Sequence, residues 1–236
     1  MQSMQANKHW RRRKDRGNTI LEFALLASFL IPMLTGAFTI GMALTKSIQV
    51  SNVSRDAVIL LVRATIDPQS GLDLSQTQNQ RIIVRTAKGL GMNLNAQNDP
   101  DPNGLGVVVL SKVVMVSDQE CAIGISSPNP PAPPWNASNC PNYGSYVFAY
   151  RVVIGDGSRW TSVLGNPGAP VQSNGTILAS DIASNTSDRV TSFTGATGMT
   201  LTASNYALFS EMYADISVLN FFRLLGNPTL YARTVS

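Results

Sequence analysis

The chain has 236 residues, of which 14% are charged and 44% apolar, with two cysteines, one histidine and a formal net charge of +4. Residues 1–16 carry +5 of that charge, so the other 220 sum to −1, and no basic folded face for nucleic acid is expected. His9 lies in the basic tail and the cysteines are Cys121 and Cys140, which excludes a histidine triad, a histidine metal cluster and a Cys-x-x-Cys pair from the rest of the chain. Neither a cofactor nor a metal site is expected.

The tail Arg11-Arg12-Arg13-Lys14-Asp15-Arg16 ends at Gly17, and an apolar run follows. From Phe23 to Leu44 there are 22 residues without a charge. As a helix they span roughly 33 Å, enough for a hydrocarbon core of about 30 Å. A secretory signal has a shorter apolar region, although Gly41-Met42-Ala43 resembles a signal-peptidase site and leaves secretion after Ala43 as an alternative. Cations cluster before the run and only Lys46 follows soon after it, so the positive-inside rule places the N-terminus in the cytoplasm and the rest outside.

Glu22 stands alone at the apolar edge. A carboxylate there is costly, by about 2.5–3.5 kcal/mol at mid-membrane and less near the interface. One reading puts it at headgroup level. The other uses its spacing: a cut after Gly17 makes Asn18 a new N-terminus, one helical turn from Glu22, and the ammonium and carboxylate then offset each other's burial.

The segment Arg16-Gly17-Asn18-Thr19-Ile20-Leu21-Glu22-Phe23 resembles the prepilin-peptidase motif of type IV pilins and pseudopilins. With Pro32 inside the run and SIQVSNVSRDAVILLVRAT after it, the stretch over about residues 10–66 is similar to the TadE-like family of tight-adherence (Flp) pilus assembly. The resemblance implies cleavage between Gly17 and Asn18, a processing and helix-pairing role for Glu22 and Phe23, and a minor pseudopilin function. It implies as partners the inner membrane, a prepilin peptidase, other pilins and pseudopilins and the assembly machinery. Thr229-Leu230-Tyr231-Ala232-Arg233 is a weaker likeness; the Pro-, Ser- and Thr-rich middle departs from the family pattern.

Beyond the run, Val50, Val53, Ala57, Leu60, Leu61 and Ala64 keep helical spacing opposite Gln49, Asn52, Asp56 and Arg63. This predicts that the helix continues out of the bilayer and packs on a domain, ending before Asp67-Pro68. Residues 76–88 read as a short helix with Ser75 as N-cap and Gly89 as its stop. Residues 93–104 read as a turn-rich link; their acids and amides lack the closing Glu of a calcium loop. Strands are predicted over 105–117, 146–154, 159–164, 211–219 and 229–235, with Gly155-Asp156-Gly157 and Gly226-Asn227-Pro228 as turns. They follow one another without long helices, so the sheet should be mostly antiparallel.

Cys121 and Cys140 flank a Pro-rich loop carrying Trp135. Outside the cytoplasm a disulfide is expected; buried free thiols are the alternative. Trp135 is either a contact epitope or a packed side chain. Residues 165–205, rich in Ser, Thr, Asn, Gly and Ala, read as a mobile insertion or irregular β structure.

The expected architecture is α+β and pilin-like. It has a cytoplasmic leader (1–17), a transmembrane helix (18–45), its periplasmic extension (46–66) and an extracytoplasmic domain (67–236) with a mostly antiparallel sheet. An enzyme is not expected, since the lysines Lys46, Lys88 and Lys112 lack a Ser-x-x-Lys arrangement and no phosphate loop occurs. The alternative function is an anchored or secreted periplasmic binding module unrelated to pili.

Overall fold

The computed structural model describes residues 6–66, 72–125, 133–215 and 229–236. The protein is α+β. Helix α1 runs Ala6–Ile66, followed by α2 (Thr77–Thr86), β1 (Gly106–Met115), α3 (Asp118–Gly124), β2 (Tyr146–Gly155), α4 (Ala179–Ser184), α5 (Phe193–Thr197), β3 (Tyr206–Asp215) and β4 (Thr229–Val235). Two compact units divide at Thr45 and Lys46.

In the second unit the strands form one antiparallel sheet in the order β2-β1-β3-β4. The first core lies between α1, α2 and one face of the sheet. Val50, Val53, Ala57, Val58 and Leu61 of α1 meet Val108 and Leu110 of β1, Val152 and Ile154 of β2, and Leu208 and Met212 of β3. The alternation of strand residues sends the intervening side chains to the opposite face. Ser54 fixes the helix on the sheet: its Oγ donates to the Ser210 carbonyl at 2.9 Å and lies 3.0 Å from Thr234 Oγ1. The helical spacing read over Val50–Ala64 is therefore the packing face, with Leu60 and Ala64 half-buried at its margin.

The other face carries a second core that sequence reading did not anticipate. Val113, Phe148 and Phe209 of the sheet are covered by Leu164, Ala169, Ile177, Val190 and Phe193. The residues read as a mobile insertion or irregular β structure, 165–205, thus include the short helices α4 and α5 and are packed through their few apolar side chains. Phe193 is fully buried, 4.4 Å from the Tyr146 ring and edge-on to Phe209 at 5.7 Å. Backbone bonds stitch the cover to the outer edge of β2: Arg151 N donates to the Gly175 carbonyl, Ile177 N to the Ala149 carbonyl and Val190 N to the Tyr146 carbonyl.

Several predicted boundaries shift. Residues 159–164 are not a strand, because this segment turns its polar groups toward a buried acid described below. β3 begins at Tyr206, five residues before the predicted start. Ser75 does not cap α2; the cap position is Gln76, and Asp73 Oδ1 instead accepts from Ser75 N at 2.9 Å and Ser75 Oγ at 2.6 Å. The chain closes this region at Gly91 rather than Gly89. Its φ is +81°, and a Cβ there would stand 2.7 Å from Leu105 Cβ, so only glycine fits. The predicted turns at Asp67-Pro68 and Gly226-Asn227-Pro228 lie outside the described residues.

Cys121 of α3 and Cys140 are joined by a disulfide and buried with Val116, Trp135, Val147 and Ala183. Trp135 is packed, at 8% exposure. The crosslink spans 19 positions, and the chain-entropy model gives it about 3 kcal/mol. Reducing it should lower the denaturant-unfolding free energy by that amount; an unchanged midpoint after confirmed reduction contradicts the estimate.

Candidate functional site

The first unit is dominated by the apolar part of α1. Thr19–Thr65 contains a window long and apolar enough to cross a membrane. Its large side chains are exposed around the helix, with Phe23 at 73% and Phe29 at 72%. A helix apolar on every side suits hydrocarbon rather than a one-sided core. The hydroxyls in the run are satisfied internally, as hydrocarbon demands. Ser28 Oγ donates to the Leu25 carbonyl at 2.8 Å, Thr39 Oγ1 to Gly36 at 2.8 Å and Thr45 Oγ1 to Gly41 at 2.9 Å. Helical structure continues through Pro32, and Thr35 Oγ1 returns to the carbonyls of Ile31 and Pro32 at 2.8 and 3.0 Å.

The motif residues share this helix. The Gly17–Asn18 bond lies within the helical span, and Glu22 and Phe23 follow on exposed positions. They belong to the first unit, whereas Cys121 and Cys140 belong to the second.

A buried polar cluster occupies the covered face of the sheet. Glu211 of β3 is fully buried and accepts from four donors. Val163 N donates to its Oε1 at 3.0 Å, Tyr231 OH at 3.2 Å and Tyr213 OH at 3.3 Å, and Ser162 Oγ donates to Oε2. Across the sheet, Arg151 of β2 donates to Ser111 Oγ at 3.0 Å, Asn166 Oδ1 at 2.8 Å and Ser162 Oγ at 3.4 Å. Ser162 thus links the cation to the anion. Burial pushes the Arg151 guanidinium down from its usual value, and Glu211 opposes that shift. Burial, then the neighbouring Glu211 charge, pushes the Tyr231 phenol up to about 12 and raises Tyr213 as well. Trp160 stacks on Tyr213 at 5.6 Å and closes the cluster. Arg151, Glu211 and Ser162 carried no local signal in the sequence.

On the α1 side, a cleft of about 380 Å³ is lined in part by Thr65, Asp73, Lys112 and Tyr150. Burial lowers the Lys112 ammonium against the opposing pull of Glu120, and its Nζ sits 4.3 Å over the Tyr206 ring. The polar 93–104 link uses its oxygens for its own turns: Asn95 Oδ1 accepts from Gln97 N and Asp99 N, both at 2.9 Å. Among the described residues no group of three or more His, Cys, Asp or Glu side chains is placed to hold a metal ion.

One apolar helix long enough to cross a membrane is consistent with single-pass anchoring. Residues 17–58 match the model of the family described as TadE-like protein. The matched segment begins at Gly17, contains Glu22 and the whole apolar run, and extends into the part of α1 that packs on the sheet. A TadE-like segment suggests involvement in tight-adherence pilus assembly. No curated protein and no solved structure matches the chain.

Proposed function

We propose that the protein is a membrane-anchored, minor pseudopilin-like subunit of tight-adherence pilus assembly, processed by a prepilin peptidase between Gly17 and Asn18. The observation that carries this reading is the TadE-like match over residues 17–58, which takes in the Gly17–Glu22 spacing and the apolar run together. In this reading residues 1–17 are a cytoplasmic leader, 18–45 cross the inner membrane, 46–66 extend the helix, and 67–236 form a periplasmic domain. The partners are the peptidase, other pilins and pseudopilins, and the assembly machinery.

The chemistry suits the residues. Gly is a poor helix former, disfavoured by about 1 kcal/mol relative to Ala, so Gly17 eases local opening of the helix for a protease. Cleavage removes the cationic leader and leaves an ammonium on Asn18. Glu22 then has a charge of opposite sign one turn away, on the same helix or on a neighbour, and the pair fixes register between packed helices.

Mass spectrometry of the membrane-extracted protein tests the reading: the mature chain should begin at Asn18. An intact Met1, or a start at Leu44, overturns it. Glu22→Ala should leave membrane insertion unchanged and abolish pilus assembly; assembly at the wild-type level rejects the pairing role.

A further inference from the structure

The second unit carries almost no net charge, yet one stretch of it is purely basic. Residues 74–98 contain Arg81, Arg85 and Lys88 and no acid. These residues recur at intervals of four and three, which places them along one side of α2 and the turn that follows it. Arg81 is neutralised by Asp99 at 3.2 Å. Arg85 and Lys88 are exposed and make no ion pair among the described residues.

A third cation joins them. Lys46 Nζ donates to the Gly89 carbonyl, and a Cβ at Gly89 would stand 3.7 Å from Lys46 Nζ and 3.4 Å from Gln49 Oε1. The turn bearing Lys88 is therefore held against the first residues of the second unit. Lys46 is two residues beyond Leu44, the last apolar residue of the uncharged run, a rise of about 3 Å along a helix. Chain connectivity alone keeps Lys46 at the edge of a membrane that the run crosses. Beside these cations is a cleft of about 370 Å³ lined by Val84, Arg85, Lys88, Met92, Asn93 and Leu94. It combines two ammonium or guanidinium groups with an apolar wall, the two chemistries of a phospholipid headgroup and its glycerol–acyl shoulder.

We infer that Lys46, Arg85 and Lys88 form a surface for anionic phospholipid headgroups of the bilayer that holds the chain's own helix. This rests on the anchored reading proposed above. The surface clamps the domain to the membrane at a second point besides the helix, through cations that act within a Debye length of about 8 Å.

The test uses the full chain in nanodiscs of phosphatidylcholine alone, or of an equal mixture with phosphatidylglycerol, and reads amide hydrogen exchange over residues 81–94. In the anionic discs, exchange over 85–92 should be about tenfold slower. The difference should vanish in about 1 M salt, where the Debye length falls to about 3 Å. It should also vanish in Arg85→Gln/Lys88→Gln, which replaces two exposed side chains and leaves the core intact. Equal exchange in both lipids overturns the inference, as does slowing that persists in the double variant or in high salt. The wild-type comparison decides even if the variant folds poorly. Incorporation into the discs is read separately: a chain that stays outside both kinds overturns the anchored reading and this surface with it, whereas an incorporated chain with lipid-independent exchange overturns the surface alone.

Discussion

Glu211→Ala should lower the unfolding free energy of the second unit by about 3–5 kcal/mol, the range for breaking a buried charge system by removing one partner. The substitution leaves four donors without their acceptor: Ser162 Oγ, Val163 N, Tyr213 OH and Tyr231 OH. It also leaves Arg151 buried, at 5% exposure, without the acid that offsets its desolvation. A second readout is independent of folding energy. The Tyr231 phenol, held up to about 12 first by burial and then by Glu211, should titrate lower in the variant but stay above the usual tyrosine value, because burial persists. The sign follows from linkage. Raised phenols favour the native state below the unfolded pKa near 10, and that advantage is lost as pH rises through the folded value of about 12. Denaturant titration with tyrosinate absorbance checks both; a loss below about 1 kcal/mol would show that the cluster is hydrated.

Phe193→Ala should cost a similar 3–5 kcal/mol, the sum of lost transfer energy and an unfilled cavity. The side chain is fully buried between Tyr146 and Phe209. Its loss should also release the 165–205 cover before the sheet itself unfolds, visible as fast proteolysis within that stretch under conditions where β1 amides remain protected. A variant as stable and as protease-resistant as the parent would mean that the cover is held by its backbone bonds to β2 and not by its ring.

Legibility in the sequence followed the length and regularity of the local signal. β1, β2 and β4 are runs of β-branched and aromatic residues, and their positions were readable to within one or two residues. The outer part of α1 was readable for the same reason, since its apolar period survives from Val50 to Leu61. β3 was half missed, because Tyr206–Ser210 follows a Ser- and Thr-rich stretch that masks its start. α3 carries a local signal of its own: Ser117 and Glu120 have capping-box spacing, and the Glu120 carboxylate accepts from Ser117 N at 2.8 Å. The segment 159–164 carried a misleading one. Its Trp160, Val163 and Leu164 suggest a strand, but its polar groups are committed to Glu211 and Arg151 through Ser162 and the Val163 amide. That commitment depends on the register that sets Ser111 opposite Arg151 and Val109 opposite Glu211, a property of three paired strands rather than of any one stretch. Of the candidate site, the Gly17–Glu22 spacing was legible because it is local. The approach of Lys46 to the turn at Gly89 bridges 43 positions and was not.

The stitching along β2 limits how copies of this domain can associate. A sheet grows when a foreign strand finds a row of free amides and carbonyls at its border. At β2 that row is already occupied, by Gly175 and Ile177 on one stretch and by Val190 on another. An incoming strand would have to strip these segments away and uncover Ile177 and Val190 with them. Polymerisation by strand addition is therefore closed on that flank, and the 165–205 cover acts as its guard rail.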